Sequence, residues 1–441
     1  MMTQHTRSLN SNIIFIIGAL GGLLFGFDTG VISGASSLIE SSLRLTITET
    51  SFVTSAVLIG SCIGALGVGG LADRFGRKPL LFMASIFFII GALMSAFAPD
   101  FGIMILARII LGLAVGSASA LTPAYLAELA PTERRGSLQT LFQLMITLGI
   151  LVAYFINIAF LGHNILGWSD WRWMLGTAVI PALALFMGSL ILPESPRYLV
   201  RAGKKELSHK VLIRLRPEYT SEQINSELQD IENADAKAHK GGIKELFTIG
   251  KAPLIAAIGL MFFQQLVGIN SVIYYLPQVF IKGFHLSDSI SIWISVGIGT
   301  VNFLSTILAT KIMDKFPRKK LLIWGALVMG FSLGIITIIN YTVNIETAAI
   351  FTIILIAEMF PLNIRGVGSS FGSAANWIGN FLVTQFFLSI LVFFHDNIGG
   401  PFAIFTVFSF LAIPFVMKFV PETRGKSLEQ IEDELLKKNN M

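Results

Sequence analysis

Charge is what this chain has least of. Only 13% of its 441 residues are Asp, Glu, Lys or Arg, against 54% that are hydrophobic. A soluble domain carries about 25% charged residues, so this chain cannot clothe a water-facing surface, and a soluble fold is excluded. Cysteine is nearly absent. Cys62 stands alone inside an apolar stretch, which rules out a disulfide framework and reads as a small packing residue. The six histidines all fall in termini, loops or a hydrophilic linker, where they are poor candidates for a buried proton relay. There is no Gly-x-x-x-x-Gly-Lys-Ser/Thr sequence and no long acidic run, so neither ATP-driven transport nor a metal centre is indicated. No nucleophile–base set points to an enzyme, and no cofactor is expected.

What the chain does have is apolar length. Runs near the ~20 residues that a bilayer crossing requires recur throughout, roughly twelve in all with one doubtful case in the second half. Residues 1–10 are polar and the run from Ile13 leads into a glycine-rich helix, so the start reads as a first span and not as a cleavable signal. Most Lys and Arg cluster in alternate loops: Arg74 to Lys78, Arg134 and Arg135, the segment from Arg197 to Lys251, Lys315 to Lys320, and the tail. The positive-inside rule makes those loops and both termini cytoplasmic. The net charge of +5 then describes topology and calls for no nucleic-acid partner. The expected division is a six-helix bundle over 1–192, a cytoplasmic helical linker over 193–250, a second bundle over 251–420 and a cytoplasmic tail over 421–441.

The two halves repeat a phrase. Ala127-Glu128-Leu129-Ala130-Pro131 runs on to Arg135-Gly136, and Ala357-Glu358-Met359-Phe360-Pro361 runs on to Arg365-Gly366, 230 residues later. The loop from Asp73 through Arg77 to Pro79 is echoed by Asp314 through Arg318 to Lys319, and Pro193-Glu194-Ser195-Pro196-Arg197 by Pro421-Glu422-Thr423-Arg424-Gly425. Acidic and basic residues that recur in order where helices meet cytoplasm are expected to latch neighbouring helices. The bland alternative is that single residues such as Arg77 merely obey topology.

Within the spans, polar residues are few enough to weigh one at a time. Gly22, Gly26, Gly30 and Gly34 repeat every four positions, a smooth stripe for another helix to approach. Asp28 lies two residues from Gly26 and Gly30, about 200° round the helix, and so faces away from that stripe. A carboxylate inside a membrane is costly and usually faces the bundle interior or a water-filled cavity. The other deep charge of the first half is Arg108, with Gly112 and Gly116 on its own face. An Asp–Arg pair loses its attraction when the Asp is protonated, which makes it a ready proton switch. Neutral hydrogen-bonding groups suited to hydroxyls also occur in apolar runs: Gln143; Gln264, Gln265, Asn270 and Tyr274 around Gly268; Asn302; and Asn376 beside Trp377. Such groups with aromatic faces suit a sugar ring, although single buried amides also serve as interhelical glue.

These motifs resemble the sugar porters of the major facilitator superfamily, close to bacterial proton-coupled pentose and hexose symporters. The match covers nearly the full length through the Asp73 to Pro79 loop, Arg108 with its glycines, the Glu128 to Gly136 phrase, Pro193 to Arg197, Gln264-Gln265 with Gly268 and Asn270, and Pro421 to Gly425. The resemblance implies an all-α integral membrane protein of two six-helix bundles that works as a monomer among lipids in a bacterial inner membrane. It implies proton coupling at Asp28 with Arg108 and sugar binding by the amides, with Phe25 at a position that touches sugar. A passive facilitator would usually lack the Asp, and a non-transporting sugar sensor usually carries a long cytoplasmic tail. One departure matters. Glu128 follows Asp73 by 55 residues, but Glu358 follows Asp314 by only 44. Eleven residues are about 16 Å of helix, half a bilayer. The tenth span, about Glu346 to Phe360, is therefore expected to be short, without the Gly-Pro pair and the aromatic residue usual there, a handicap to transport.

Overall fold

The computed structural model describes residues 11–131, 135–237, 251–312, 316–343, 347–348, 352, 370–420 and 422. Within them the chain forms sixteen helices, and the one β-bridge, between Ile165 and Trp168, is isolated. The first half contributes α1 (Ser11–Leu43), α2 (Ile47–Phe75), α3 (Arg77–Phe97), α4 (Phe101–Leu129), α5 (Arg135–Phe160) and a sixth span made of α6 (Asp170–Gly176) and α7 (Val179–Ile191). Three short helices follow: α8 (Pro196–Arg201), α9 (Lys205–Leu215) and α10 (Ser221–Lys237). The second half holds a span broken into α11 (Lys251–Leu266) and α12 (Ile269–Phe284), then α13 (Asp288–Ile312), α14 (Arg318–Thr342), α15 (Ser370–Phe393) and α16 (Gly399–Phe419). Among the described residues, eleven segments are long and apolar enough to cross a membrane. The expected short tenth span lies outside the described residues, save Thr347, Ala348 and Thr352.

Local chemistry sets where these helices start. Thr46 and Glu49 form a reciprocal capping box at the head of α2, the Glu49 carboxylate accepting the Thr46 N–H at 2.8 Å. Asp100 caps α4 by accepting the Ile103 N–H at 3.0 Å. Each cap satisfies backbone donors that a helix start leaves unpaired.

In lipid, helices gain little from hydrophobicity against one another, so close backbone approach decides which pairs form. The glycine stripe of α1 does this against α5: a Cβ on Gly26 would run into the Ile146 carbonyl, and Gly22, Gly30 and Gly34 abut Phe142, Ile150 and Asn157. α2 and α4 meet the same way, since a Cβ on Gly112 would lie 2.9 Å from the Gly60 Cα. The pairing pattern repeats between halves. α1 packs on α5 and α3 on α7; correspondingly α11 packs on α15 and α14 on α16. The bundles meet where α2 touches α15, α5 touches α13 and α1 touches α12.

Two breaks shape the seventh span. Gly268, at φ +82°, adopts a left-handed conformation that separates α11 from α12, and a side chain there would strike the Phe405 ring. Inside α12, Tyr275 leaves helical geometry two residues before Pro277. Pro277 has no N–H to give the Ile273 carbonyl one turn back. The hydroxyl of Tyr154, on α5 of the other bundle, donates to that carbonyl at 3.2 Å.

Candidate functional site

The deepest charges of the first bundle find each other. Arg108 on α4 is fully buried and grips Asp28 on α1 with two hydrogen bonds, Nη1 to Oδ1 at 2.5 Å and Nη2 to Oδ2 at 3.2 Å. Its Nε donates to the Val53 carbonyl of α2 at 3.2 Å. One guanidinium thus ties three helices, a geometry that the planar fork of Arg allows and Lys does not. The glycine stripe turns to α5 while Asp28 turns to α4, as the helical spacing predicts. Neutralising Asp28 would remove the Coulombic part of the grip and leave weaker neutral hydrogen bonding, with the contact to the α2 backbone, to hold Arg108.

Beside this pair lies a cluster of neutral groups. Phe25, one turn before Asp28, packs its ring 5.6 Å from that of Trp377. Asn376 donates to Gln264 Oε1 at 3.3 Å, and Asn270 donates to Gln265 Oε1 at 2.7 Å. The break at Gly268 lets Asn270, at the start of α12, reach back to Gln265 near the end of α11. Tyr274 is buried close to Thr29 and Asn380, with the Asp28–Arg108 pair within electrostatic reach. Gln143 lies on α5, and its Oε1 is buried without a hydrogen-bond partner among the described residues. An unpaired buried acceptor costs about 1–3 kcal/mol, which a ligand hydroxyl would relieve. Asn302 is buried on α13, with no side-chain hydrogen bond seen to another described residue. Seven residues (Phe25, Gln264, Gln265, Asn270, Tyr274, Asn376 and Trp377) are thus joined by direct contacts or by the Asp28 neighbourhood. Gln143 and Asn302 have no direct contact of that kind among the described residues.

At the end of the bundle that carries the Asp73 to Pro79 loop, Arg77 is the hub. It meets Glu128 at 3.0 Å and Asp73 at 3.5 Å and donates to the Ala72 carbonyl. Arg201 joins Asp73 at 2.9 Å and Asp235 at 3.2 Å. Arg216 fixes the linker to α4, donating to the Leu129 carbonyl at 2.9 Å and to Glu227 at 3.0 Å. Glu194 does not pair with Arg197, which is exposed. It instead accepts the backbone N–H of Arg77 at 2.9 Å and that of Lys78, capping α3 where the helix dipole favours a carboxylate. The second half repeats the device. Glu422 accepts the Lys319 N–H at the head of α14 at 3.1 Å. Lys78 donates to the Leu190 carbonyl at 2.9 Å, and Lys319 to the Met417 carbonyl at 2.7 Å. Among the other expected latch residues, Asp314, Glu358 and Arg365 lie outside the described residues, and so do the side chains of Arg135 and Arg318.

The structure adds polar residues that the sequence reading passed over. Asn157 donates to the Gly30 carbonyl at 2.9 Å, two residues from Asp28. Gln278 donates to Ser36 at 2.8 Å, Ser55 donates to Gln385 at 2.6 Å, and Lys282 faces Glu40 at 3.5 Å, all between bundles. Spacing held the only hint of them: Tyr274, Gln278 and Lys282 recur every four residues, and so do Ser36 and Glu40.

A family model described as "Sugar (and other) transporter" matches residues 14–435. The D-xylose transporter of Levilactobacillus brevis is 45% identical to this chain over 97% of it and 96% of the relative. The galactose-proton symporter of Escherichia coli (strain K12) is 35% identical, covering 98% of this chain and 97% of its own length. The solved structure of XylE, a proton:xylose symporter of the major facilitator superfamily bound to 6-bromo-6-deoxy-D-glucose, superposes with a TM-score of 0.82. It is 32% identical to this chain, covering 96% of it and 99% of the XylE chain.

Proposed function

This chain belongs to the sugar transporter family, with the major facilitator fold, and on that premise we propose that it carries a pentose or hexose into the cell together with a proton. The observation that carries this reading is one continuous assembly: a buried Asp28–Arg108 pair, linked through Phe25 to Trp377 and the amides beside it. The amides supply donors and acceptors for sugar hydroxyls, and the aromatic rings supply apolar faces. Phe25 lies one helical turn from Asp28, so a sugar held against it is mechanically coupled to the protonatable carboxylate. Protonation loosens the grip of Arg108 on α1 and lets the bundles rock about the central site, the alternating access that this architecture supports.

The rest of the reading follows from the same premise. The loops rich in Lys and Arg face the cytoplasm of a bacterial inner membrane, with both termini on that side. The bundles are 1–192 and 251–420, with 193–250 as a cytoplasmic linker, 421–441 as a tail, and the monomer as the working unit. The latch at the cytoplasmic end runs through Arg77, Asp73, Glu128, Glu194 and Glu422. A passive facilitator would have no use for a carboxylate sequestered against Arg108, so symport is favoured over that alternative.

Uptake into proteoliposomes tests the reading. An inward proton gradient should accelerate entry of a pentose or hexose, and Asp28→Asn should abolish that dependence while leaving some sugar binding. Uptake indifferent to an uncoupler, or driven instead by a sodium gradient, would rule out proton coupling. A variant with the tenth span lengthened by eleven residues should transport faster if the short Asp314–Glu358 interval handicaps the chain.

A further inference from the structure

Among the described residues, the tie between the bundles has a shape. Hydrogen bonds and an ion pair join described residues of the two bundles from mid-span to the end opposite the Asp73 loop: Tyr154 to the Ile273 carbonyl, Gln278 to Ser36, Lys282 to Glu40, and Ser55 to Gln385. Three of these contacts hold α12. Two of those three, through Gln278 and Lys282, lie beyond the bend at Tyr275–Pro277, and the third sits at the bend itself.

The bend explains why Tyr154 is there. Pro277 strips the Ile273 carbonyl of its helical donor, and an unpaired buried carbonyl is costly. The Tyr154 hydroxyl supplies the missing donor only while α5 and α12 stay together. The satisfaction of the proline bend is therefore conditional on bundle closure. The outer rungs are conditional too, and incomplete: among the described residues, Gln278 Oε1 and Glu40 Oε2 are buried without hydrogen-bond partners. Water entering the seam would satisfy both, so closure leaves polar groups short that opening would supply.

We propose that Tyr154 is a positioning residue whose hydroxyl holds the end of α12 beyond Pro277 shut against α1, with Gln278–Ser36 and Lys282–Glu40 as the rungs of that gate. The proposal rests on the transport reading, in which this end faces outward and must open to admit sugar. Loss of the hydroxyl should let the segment swing out more often, by about fivefold if the bond is of ordinary net strength.

The test uses the full chain with its single native thiol removed by Cys62→Ser and a reporter placed in the seam by Ser33→Cys. Labelling by a membrane-impermeant methanethiosulfonate is followed in right-side-out and in inside-out membrane vesicles. Tyr154→Phe and Lys282→Ala should each raise labelling in right-side-out vesicles, the former about fivefold. Adding Pro277→Ala restores a backbone donor for the Ile273 carbonyl, so Tyr154→Phe should then have little further effect. That coupling would not arise if Tyr154 merely filled space. An unchanged labelling rate in both preparations, with each variant eluting as a monodisperse folded protein, overturns the gate. So does a Tyr154→Phe effect that Pro277→Ala leaves intact. A rise confined to inside-out vesicles supports the gate and overturns only the orientation.

Discussion

The two ends of the bundle use polar residues in opposite ways. At the end carrying the Asp73 loop, Arg77, Asp73, Glu128, Glu194, Arg201 and Arg216 connect elements of one bundle and its linker to each other. At the other end, Ser36, Glu40, Ser55 and Tyr154 reach across to the second bundle. The first arrangement makes a stiff body; the second joins two bodies. Strong charges suit the former because, among the described residues, they hold parts of one body in place. Weak neutral hydrogen bonds, with a single ion pair between half-buried partners, suit the latter because each can be exchanged for water at small cost.

Five substitutions, the first with a rescuing partner, would break or sharpen this contrast. The largest effect is expected at the centre, where Arg108→Met should leave Asp28 buried and unpaired. Breaking a buried pair from one side costs about 3–5 kcal/mol, so the melting temperature should drop markedly, and adding Asp28→Asn should recover part of it. Next come the helix caps. Glu194→Gln and Glu422→Gln should each cost about 1 kcal/mol through loss of the charge at the head of a helix. Thermal unfolding that responds to only one of them would show that the two halves do not share the device. Ser55→Ala should cost about 1 kcal/mol in the closed tie between bundles, read as faster labelling of the Ser33→Cys reporter and not as lower stability of the first bundle. The smallest effect is expected for Asp73→Asn. Both Asp73 and Arg201 are about half exposed, and such pairs are worth about 0–1 kcal/mol. The change should fade further in high salt.

Legibility in the sequence followed distance along the helix. The glycine stripe of α1, the opposite heading of Asp28 and the break at Gly268 all depend on spacing within a single span, and the structure shows each of them. The contact between Asp28 and Arg108 was suggested by scarcity: two charges deep in one apolar half have few other partners. The sequence places Glu194 and Arg197 among the expected latch residues, and the structure adds that Glu194 caps the amide groups of α3. A cap on the helix that begins 117 residues earlier leaves no trace in local pattern. Tyr154 is the clearest omission. Pro277 shows on the page, and so does the carbonyl it orphans at Ile273, but nothing in the order of residues says that a tyrosine 119 positions earlier will come to meet it.

The sequence by itself determined the class of protein, because scarce charge, apolar runs of span length and a phrase repeated in each half permit only a duplicated membrane bundle. It also determined which residues are candidates, because a polar side chain inside lipid must have a reason to be there. Tertiary structure alone decided which candidates meet and which polar residues of the described chain join the two bundles. Those outcomes depend on hydrogen bonds between segments far apart in the chain, whose partners are chosen by helix packing. In lipid that packing is set by small residues and close backbone approach, and it becomes visible only when the helices are assembled.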